Sequence, residues 1–159
     1  MANYTAKLRS LATVNLAILA IRLIQFFFAG MVMGLMAFFI QQEIKAGQDA
    51  SSPYCFVLVV AVVTIITHFI YCFSFYHKLT FLWDLALATG WLISFFWVLN
   101  FVQPLPCSWS AFNPFGEDHC SQQRAVLVIQ IVISVLWYIT GAIGLTSLIR
   151  INRKGSDIV

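Results

Sequence analysis

The sequence predicts an all-α protein, a transmembrane bundle of four helices, and two observations lead to this fold class. Hydrophobic residues make up 61% of the chain and charged residues 9%, whereas soluble domains carry about 25% charged residues. The few charges are also segregated, because four long apolar runs contain almost none of them. Each run has at least the roughly 20 residues that a helix needs to cross a bilayer.

The four apolar runs are residues 14–40, 54–76, 79–102 and 125–149. They do not alternate apolar with polar residues as the strands of a membrane barrel do. Backbone groups in lipid must be paired within their own segment, which favours helices. We therefore expect one membrane domain over residues 1–159, with outer loops at 41–53 and 103–124. The first run begins too late and is too long for a secretory signal, so we expect it to be retained as a helix.

Lysine and arginine residues predict the orientation of the bundle. Four crossings place both termini and the connection after the second run on one side, which carries Lys7, Arg9, Lys78, Arg150, Arg153 and Lys154. The opposite side carries Lys45 and Arg124. Because cytosolic loops are enriched in Lys and Arg, both termini are predicted to be cytosolic, with the protein in the plasma membrane or another membrane of the secretory pathway.

Two of the cysteines predict a disulfide bond. Cys107 and Cys120 both fall in the second predicted outer loop, where oxidising surroundings permit a bridge. Cys55, at the outer end of the second run, is an alternative partner. Cys72, near the inner end of that run, fits either a packed small side chain or a site of reversible palmitoylation.

Polar side chains inside the apolar runs form the candidate site. Arg22, Asp84 and His68 are predicted to lie about 8–12 Å from the cytosolic boundary, at a rise of 1.5 Å per residue. One interpretation is a structural clasp, an Arg22–Asp84 ion pair with Gln25 and His68 beside it. The other is a proton or ion path. A path would continue as polar residues towards the outer face, where the runs are mostly Phe, Ile, Leu and Val, so the clasp is favoured.

Small residues in the runs predict close helix contacts, because they let backbones approach each other in lipid. The first run contains a GxxxG pair, and the third has a stripe of small residues; the helix-packing positions predicted in these two runs are Gly30, Gly34, Ala86, Gly90 and Ser94. Gly141 and Gly144 similarly leave one side of the fourth run without side chains. GxxxG also occurs in helix dimers, but we expect these residues to pack within the bundle.

Motifs of catalysis or cofactor binding do not occur in the sequence. It has no HExxH, GxSxG, P-loop or CxxC motif, and its three histidines lack metal-ligand spacing. His119 stands beside Cys120, Glu117 and Asp118, a set that could hold a metal ion in the outer loop, but a solvated polar loop is the favoured interpretation. We therefore expect no enzyme activity, no metal and no cofactor. No run of Lys and Arg predicts a nucleic-acid partner.

The chain resembles the MARVEL-domain tetraspan proteins, in particular their small fungal members. The resemblance covers nearly the whole chain and rests on four spans with both ends inside, the first-helix sequence from Arg22 to Phe26, the Trp83-Asp84 opening of the third helix, and the paired cysteines of the second outer loop. It implies a role in organising membranes, with sterol- or sphingolipid-rich lipid and membrane proteins or further copies of the chain as partners.

Three functions remain open from the sequence. The first is this membrane-organising or trafficking role, of the kind that the resemblance associates with eisosome-type microdomains. The second is an accessory subunit of a larger membrane enzyme or transporter. The third is a small transporter or channel that uses Arg22, Asp84 and His68.

Overall fold

The computed structural model describes residues 2–73, 80–103 and 119–156, and the side chains within 16–71, 80–103 and 120–149. These residues form four helices, α1 (Ala2–Lys45), α2 (Ser52–Phe73), α3 (Thr80–Val102) and α4 (His119–Ser156). Each helix contains a segment long and apolar enough to cross a membrane: Leu16–Lys45, Ser52–Tyr71, Thr80–Val102 and Cys120–Ile149. The predicted all-α class with four candidate spans is thus confirmed for the described part of the chain.

The four helices pack as a ring in chain order. Backbone contacts join α1 to α2, α2 to α3, α3 to α4 and α4 to α1, and among the described residues the diagonal pairs α1–α3 and α2–α4 make none. Each helix places one fully buried alanine in the centre, Ala29, Ala61, Ala88 and Ala125, so the backbones can approach closely. We call the end of the bundle near Tyr71 and Thr80 the inner end, and the end near the turn at 46–51 the outer end.

The first outer loop is much shorter than the predicted 41–53. Helix α1 continues to Lys45 and ends in a Schellman motif, in which the Gly47 N–H donates to Ile44 O and the Gln48 N–H to Glu43 O, each at 3.0 Å. Gly47 has a φ of 74°, a conformation that glycine adopts without strain. Polar residues at 41–43 ended the hydropathy run without ending the helix, because they are good helix formers.

Glu43 also fastens this turn to the next helix. Its two carboxylate oxygens accept hydrogen bonds from the backbone N–H of Ser51 at 2.8 Å and from the Ser51 hydroxyl at 2.5 Å. The Ser51 carbonyl accepts from the N–H groups of Tyr54 and Cys55, so Ser51 is the residue that precedes the first turn of α2. The turn between α1 and α2 is therefore held at both of its ends.

Helix α4 begins six residues before the predicted boundary at 125. Its first turns are polar in sequence, which led to their assignment to the loop 103–124, but Ser121, Gln123 and Arg124 are buried. Gln123 Nε2 donates to the Tyr54 hydroxyl at 2.8 Å. The remainder of that loop, 104–118, lies outside the described residues. The third span agrees with its predicted bounds to within one residue, and the second is described to Phe73.

Glycines of α4 allow α3 to pack closely against it. A Cβ atom at Gly144 would lie 3.0 Å from Phe81 Cβ, and one at Gly141 would lie 3.1 Å from Leu85 Cδ2. Real Cβ atoms rarely come so near, so α3 reaches this position against α4 because both side chains are absent. These two glycines are the positions at which the sequence predicts that the fourth span lacks side chains.

The expectation that Gly30, Gly34 and Ala86 pack within the bundle is wrong. A Cβ atom at Gly30 or Gly34 would meet no heavy atom within 4 Å, and Gly34 and Ala86 are exposed. The GxxxG spacing specifies a face of the helix, and the pattern alone does not say whether that face turns inward. In α1 the buried face carries Gln25, Ala29, Val32, Met36 and Phe39 instead.

Gly90 and Ser94 do face the interior of the bundle. A Cβ atom at Gly90 would be in ordinary contact with Val60 of α2, at 3.8 Å. Ser94 is fully buried, and its hydroxyl donates to the Trp91 carbonyl at 2.8 Å. Only part of the predicted stripe on the third span therefore faces the core.

We predict that Gly144→Ala destabilises the bundle and that the matched change Gly30→Ala does not. Both changes gain the same helix propensity, up to about 1 kcal/mol, but only the methyl group at position 144 would lie 3.0 Å from Phe81 Cβ, closer than side chains normally pack. Overpacking of this kind costs about 1–3 kcal/mol. Thermal unfolding of the two variants in the same detergent measures the difference, and equal melting temperatures would contradict the observed α3–α4 contact.

Candidate functional site

The structure brings Arg22 and Asp84 together at the inner end of the bundle. Arg22 Nη2 lies 2.5 Å from Asp84 Oδ2, and the two side chains are 19% and 4% exposed. Arg22 belongs to α1 and Asp84 to α3, which lie diagonally across the ring. The long arginine side chain therefore crosses the centre of the bundle to reach the carboxylate.

The other two helices complete the surroundings of this pair. The Tyr71 hydroxyl of α2 donates to Asp84 Oδ1 at 2.8 Å, so each carboxylate oxygen has a partner. The Arg22 guanidinium lies 4.7 Å from the centre of the Tyr71 ring and 4.6 Å from the centre of the Trp137 ring of α4, within the range of cation–π attraction. We name Arg22, Tyr71, Asp84 and Trp137 the four-helix polar layer, since each helix contributes one member.

Tyr71 and Trp137 were not singled out in the sequence. Both are aromatic residues in apolar runs, where they are usually interpreted as space-filling or interface residues. Their distance from Arg22 in space depends on how each helix is rotated, which the sequence does not show. Depth along the helix points to Tyr71, because this residue stands at the inner end of α2 near the level of Asp84.

Gln25 and His68 lie near this layer without binding to the ion pair. His68 packs edge-on against Trp137, with ring centres 5.4 Å apart, and its Nδ1 is 2.8 Å from the Thr64 carbonyl oxygen. A carbonyl only accepts, so Nδ1 carries the hydrogen. Gln25 is fully buried, and neither its amide atoms nor His68 Nε2 have a hydrogen-bond partner among the described residues.

Polar side chains continue in the core beyond the layer, more than the sequence suggested. The Trp91 indole N–H donates to Thr64 Oγ1 at 3.0 Å, and Ser134 Oγ donates to the Ala88 carbonyl at 2.9 Å. Gln130 is fully buried, with no hydrogen-bond partner for its amide among the described residues. Its isolation in the sequence gave no sign that it is buried.

Apolar side chains close the core further outward. Five residues from all four helices are at most 1% exposed there: Val32, Met36, Val57, Val98 and Val126. They lie 10–14 positions from the polar-layer residue of their own helix, or about 15–21 Å along the axis at 1.5 Å per residue. We call these five residues the apolar seal. The seal therefore lies between the buried polar groups of the inner half and Ser121, Gln123 and Arg124, which are buried at the outer end.

One pair of hydroxyl groups faces outward at membrane depth. Tyr138 of α4 is 37% exposed, and its hydroxyl lies 3.4 Å from Thr89 Oγ1 of α3, which itself donates to the Leu85 carbonyl. The exposed Ala86 lies one turn away on α3. Polar side chains on such surfaces commonly serve contacts between membrane helices.

The remaining predicted site residues are cysteines. Cys107 lies outside the described residues, so its pairing with Cys120, the first residue of the fourth candidate span, stays a prediction. Cys55 is a free thiol in the structure, which removes the alternative partner. Among the described residues, no group of three His, Cys, Asp or Glu side chains could hold a metal ion.

No protein-family model, curated protein or solved structure matches this chain. The resemblance to MARVEL-domain proteins therefore remains an expectation from the sequence, and the function is argued from the site.

We predict that Tyr71→Phe destabilises the bundle by about 1–2 kcal/mol, because it removes a hydrogen bond to a buried carboxylate. The matched change Tyr138→Phe removes a hydroxyl whose contact is long and exposed, and it should cost less than about 0.5 kcal/mol. Unfolding of both variants in one mild detergent provides the comparison. If Tyr138→Phe lost as much stability as Tyr71→Phe, the hydrogen bond to Asp84 would contribute no more than the exposed contact does.

Proposed function

We propose that this chain is a non-enzymatic tetraspan that organises membranes through lateral contacts with lipids and partner proteins. The observation that carries the proposal is the closed core. The charges of Arg22 and Asp84 neutralise each other inside the bundle, and the apolar seal separates them from the outer end. A bundle built in this way holds itself together and offers its outer surface for contacts.

The outer surface supports the same proposal. Large apolar side chains cover it on every helix, with Phe27 of α1 at 74% exposure and Phe96 of α3 at 54%. A surface of this composition suits lipid chains or the helices of other membrane proteins. The resemblance to MARVEL-domain tetraspans leads independently to a membrane-organising role, with sterol- or sphingolipid-rich regions of the plasma membrane as a candidate setting.

A second candidate is an accessory subunit of a larger membrane complex, and one observation favours it. The Tyr138 and Thr89 hydroxyls form a polar spot among the exposed apolar side chains of α3 and α4. Hydrocarbon offers this spot no hydrogen bonds, whereas a polar residue on a neighbouring helix does. We therefore propose the α3–α4 seam as the face where such a complex would form.

The composition of the purified assembly distinguishes these functions. Under extraction in mild detergent followed by native mass spectrometry, an organiser is expected to appear with bound lipid and in self-assemblies of more than one size. One large partner in fixed ratio, lost in Tyr138→Leu and kept in Ile139→Leu, would instead favour the accessory subunit. A proton or ion flux in reconstituted vesicles, abolished by Asp84→Asn in a folded protein, would overturn both.

The proposed orientation has both termini in the cytosol. Its support is the distribution of Lys and Arg, which are more frequent on the side of the termini.

Cysteine labelling in intact cells tests this orientation. We expect a membrane-impermeant maleimide to label Asp49→Cys, in the exposed turn between α1 and α2, above the wild-type background. Ser156→Cys, near the end of α4, should be labelled only after permeabilisation. The opposite pattern would reverse the orientation.

A further inference from the structure

A cavity of about 320 Å³ lies at the inner end, directly beside the four-helix polar layer, and all four helices line it. Its walls are of two kinds. Arg22, Asp84 and Thr140 contribute polar groups to the lining, and Leu19, Phe81 and Ile143 contribute apolar side chains. Liquid water takes about 30 Å³ per molecule, so the space would hold roughly ten waters.

The combination of polar and apolar lining residues indicates which kind of molecule fits the cavity. Water alone would leave the apolar lining residues in contact with a polar solvent, and a bare hydrocarbon chain would offer the polar lining residues no hydrogen-bond partner. Small-molecule sites usually combine an apolar lining with a few polar groups that fix orientation. An amphiphile, with a polar head and an apolar tail, can contact both kinds of lining residue.

The charges of Arg22 and Asp84 favour an uncharged head group. Arg22 is already neutralised by Asp84, and both carboxylate oxygens are engaged, one by Arg22 and one by Tyr71. An anionic head would bring a second negative charge next to Asp84 in surroundings of low dielectric constant, where repulsion is strong. An uncharged oxygen can accept from Arg22 without this repulsion, and a hydroxyl hydrogen can in turn be donated to Thr140 Oγ1, whose own hydrogen points to the Trp137 carbonyl.

We propose that this cavity binds the head of an uncharged, hydroxyl-bearing membrane amphiphile beside Arg22, with the tail leaving between α1 and α4. Leu19 supports this exit, because it lines the cavity and is still 55% exposed on the surface of α1. The proposal goes beyond the organising role, since the binding site belongs to the single chain and can be measured whatever assemblies the protein forms.

Photoaffinity labelling of the purified protein in mild detergent tests the proposal. Three probes carry a diazirine in the tail: a monoacylglycerol, a sterol, and a phosphatidic acid with the same acyl chain as the monoacylglycerol. We expect at least one of the hydroxyl-headed probes to label peptides of α1 or α4 near Leu19 or Ile143, at least fivefold more than phosphatidic acid does. The first two probes distinguish a glycerolipid from a sterol as the source of the hydroxyl.

Two substitutions on α4 provide the matched control. Ile143→Trp fills the cavity and should reduce the labelling at least fivefold, whereas Ile139→Trp, one turn away and exposed outside the cavity, should leave it within twofold of wild type. Equal labelling by all three probes, or labelling unchanged in Ile143→Trp, would overturn the proposal.

Asp84→Asn tests the charge argument directly. With the carboxylate neutralised, Arg22 gains a free positive charge, so the preference should reverse and phosphatidic acid should label at least as strongly as the hydroxyl-headed probes. An unchanged preference in this variant, shown to be folded by monodisperse elution, would refute the charge argument. Should Asp84→Asn fail to fold, the outcome for Ile143→Trp still decides whether the cavity is the site.

Discussion

The need to satisfy two opposite charges away from water constrains the rest of this structure. An isolated charge in hydrocarbon is costly, and here Arg22 and Asp84 meet across the diagonal of the bundle, where no backbone contact joins their helices. Tyr71 and Trp137 complete the arrangement from the remaining two helices. A rotation of any one helix would separate its residue from the others, so the rotations of all four helices are linked at this level.

The packing of α3 against α4 serves the same arrangement. Gly141 and Gly144 of α4 allow Phe81 and Leu85 to approach, and these residues flank Asp84 in the first turns of α3. Close approach at this point is needed because Trp137 must reach the guanidinium while Asp84 stays buried. The outer half of the bundle is held differently, by the apolar seal and by the Gln123–Tyr54 hydrogen bond.

Hydropathy was sufficient to predict four helices, because each apolar run is as long as a helix must be to cross the hydrocarbon core of a bilayer. It failed at the ends of α1 and α4, where polar residues such as Gln42 and Gln123 continue a helix. The meeting of Arg22 with Asp84 could be expected from depth, since 1.5 Å per residue converts sequence position into height. Which way each helix faces could not be expected, and Tyr71, Trp137 and the outward turn of Gly30 and Gly34 all depend on it.

The diagonal position of the ion pair has a consequence for how the chain enters the membrane. Helices are made in sequence order, so the positive charge of Arg22 is present before the negative charge of Asp84 is synthesised. Until α3 arrives, the first two helices must keep an uncompensated charge near the headgroups or at the insertion machinery. Asp84 then enters a bundle that already holds its partner. We therefore expect membrane integration of the first and third helices to be coupled, although no backbone contact joins them.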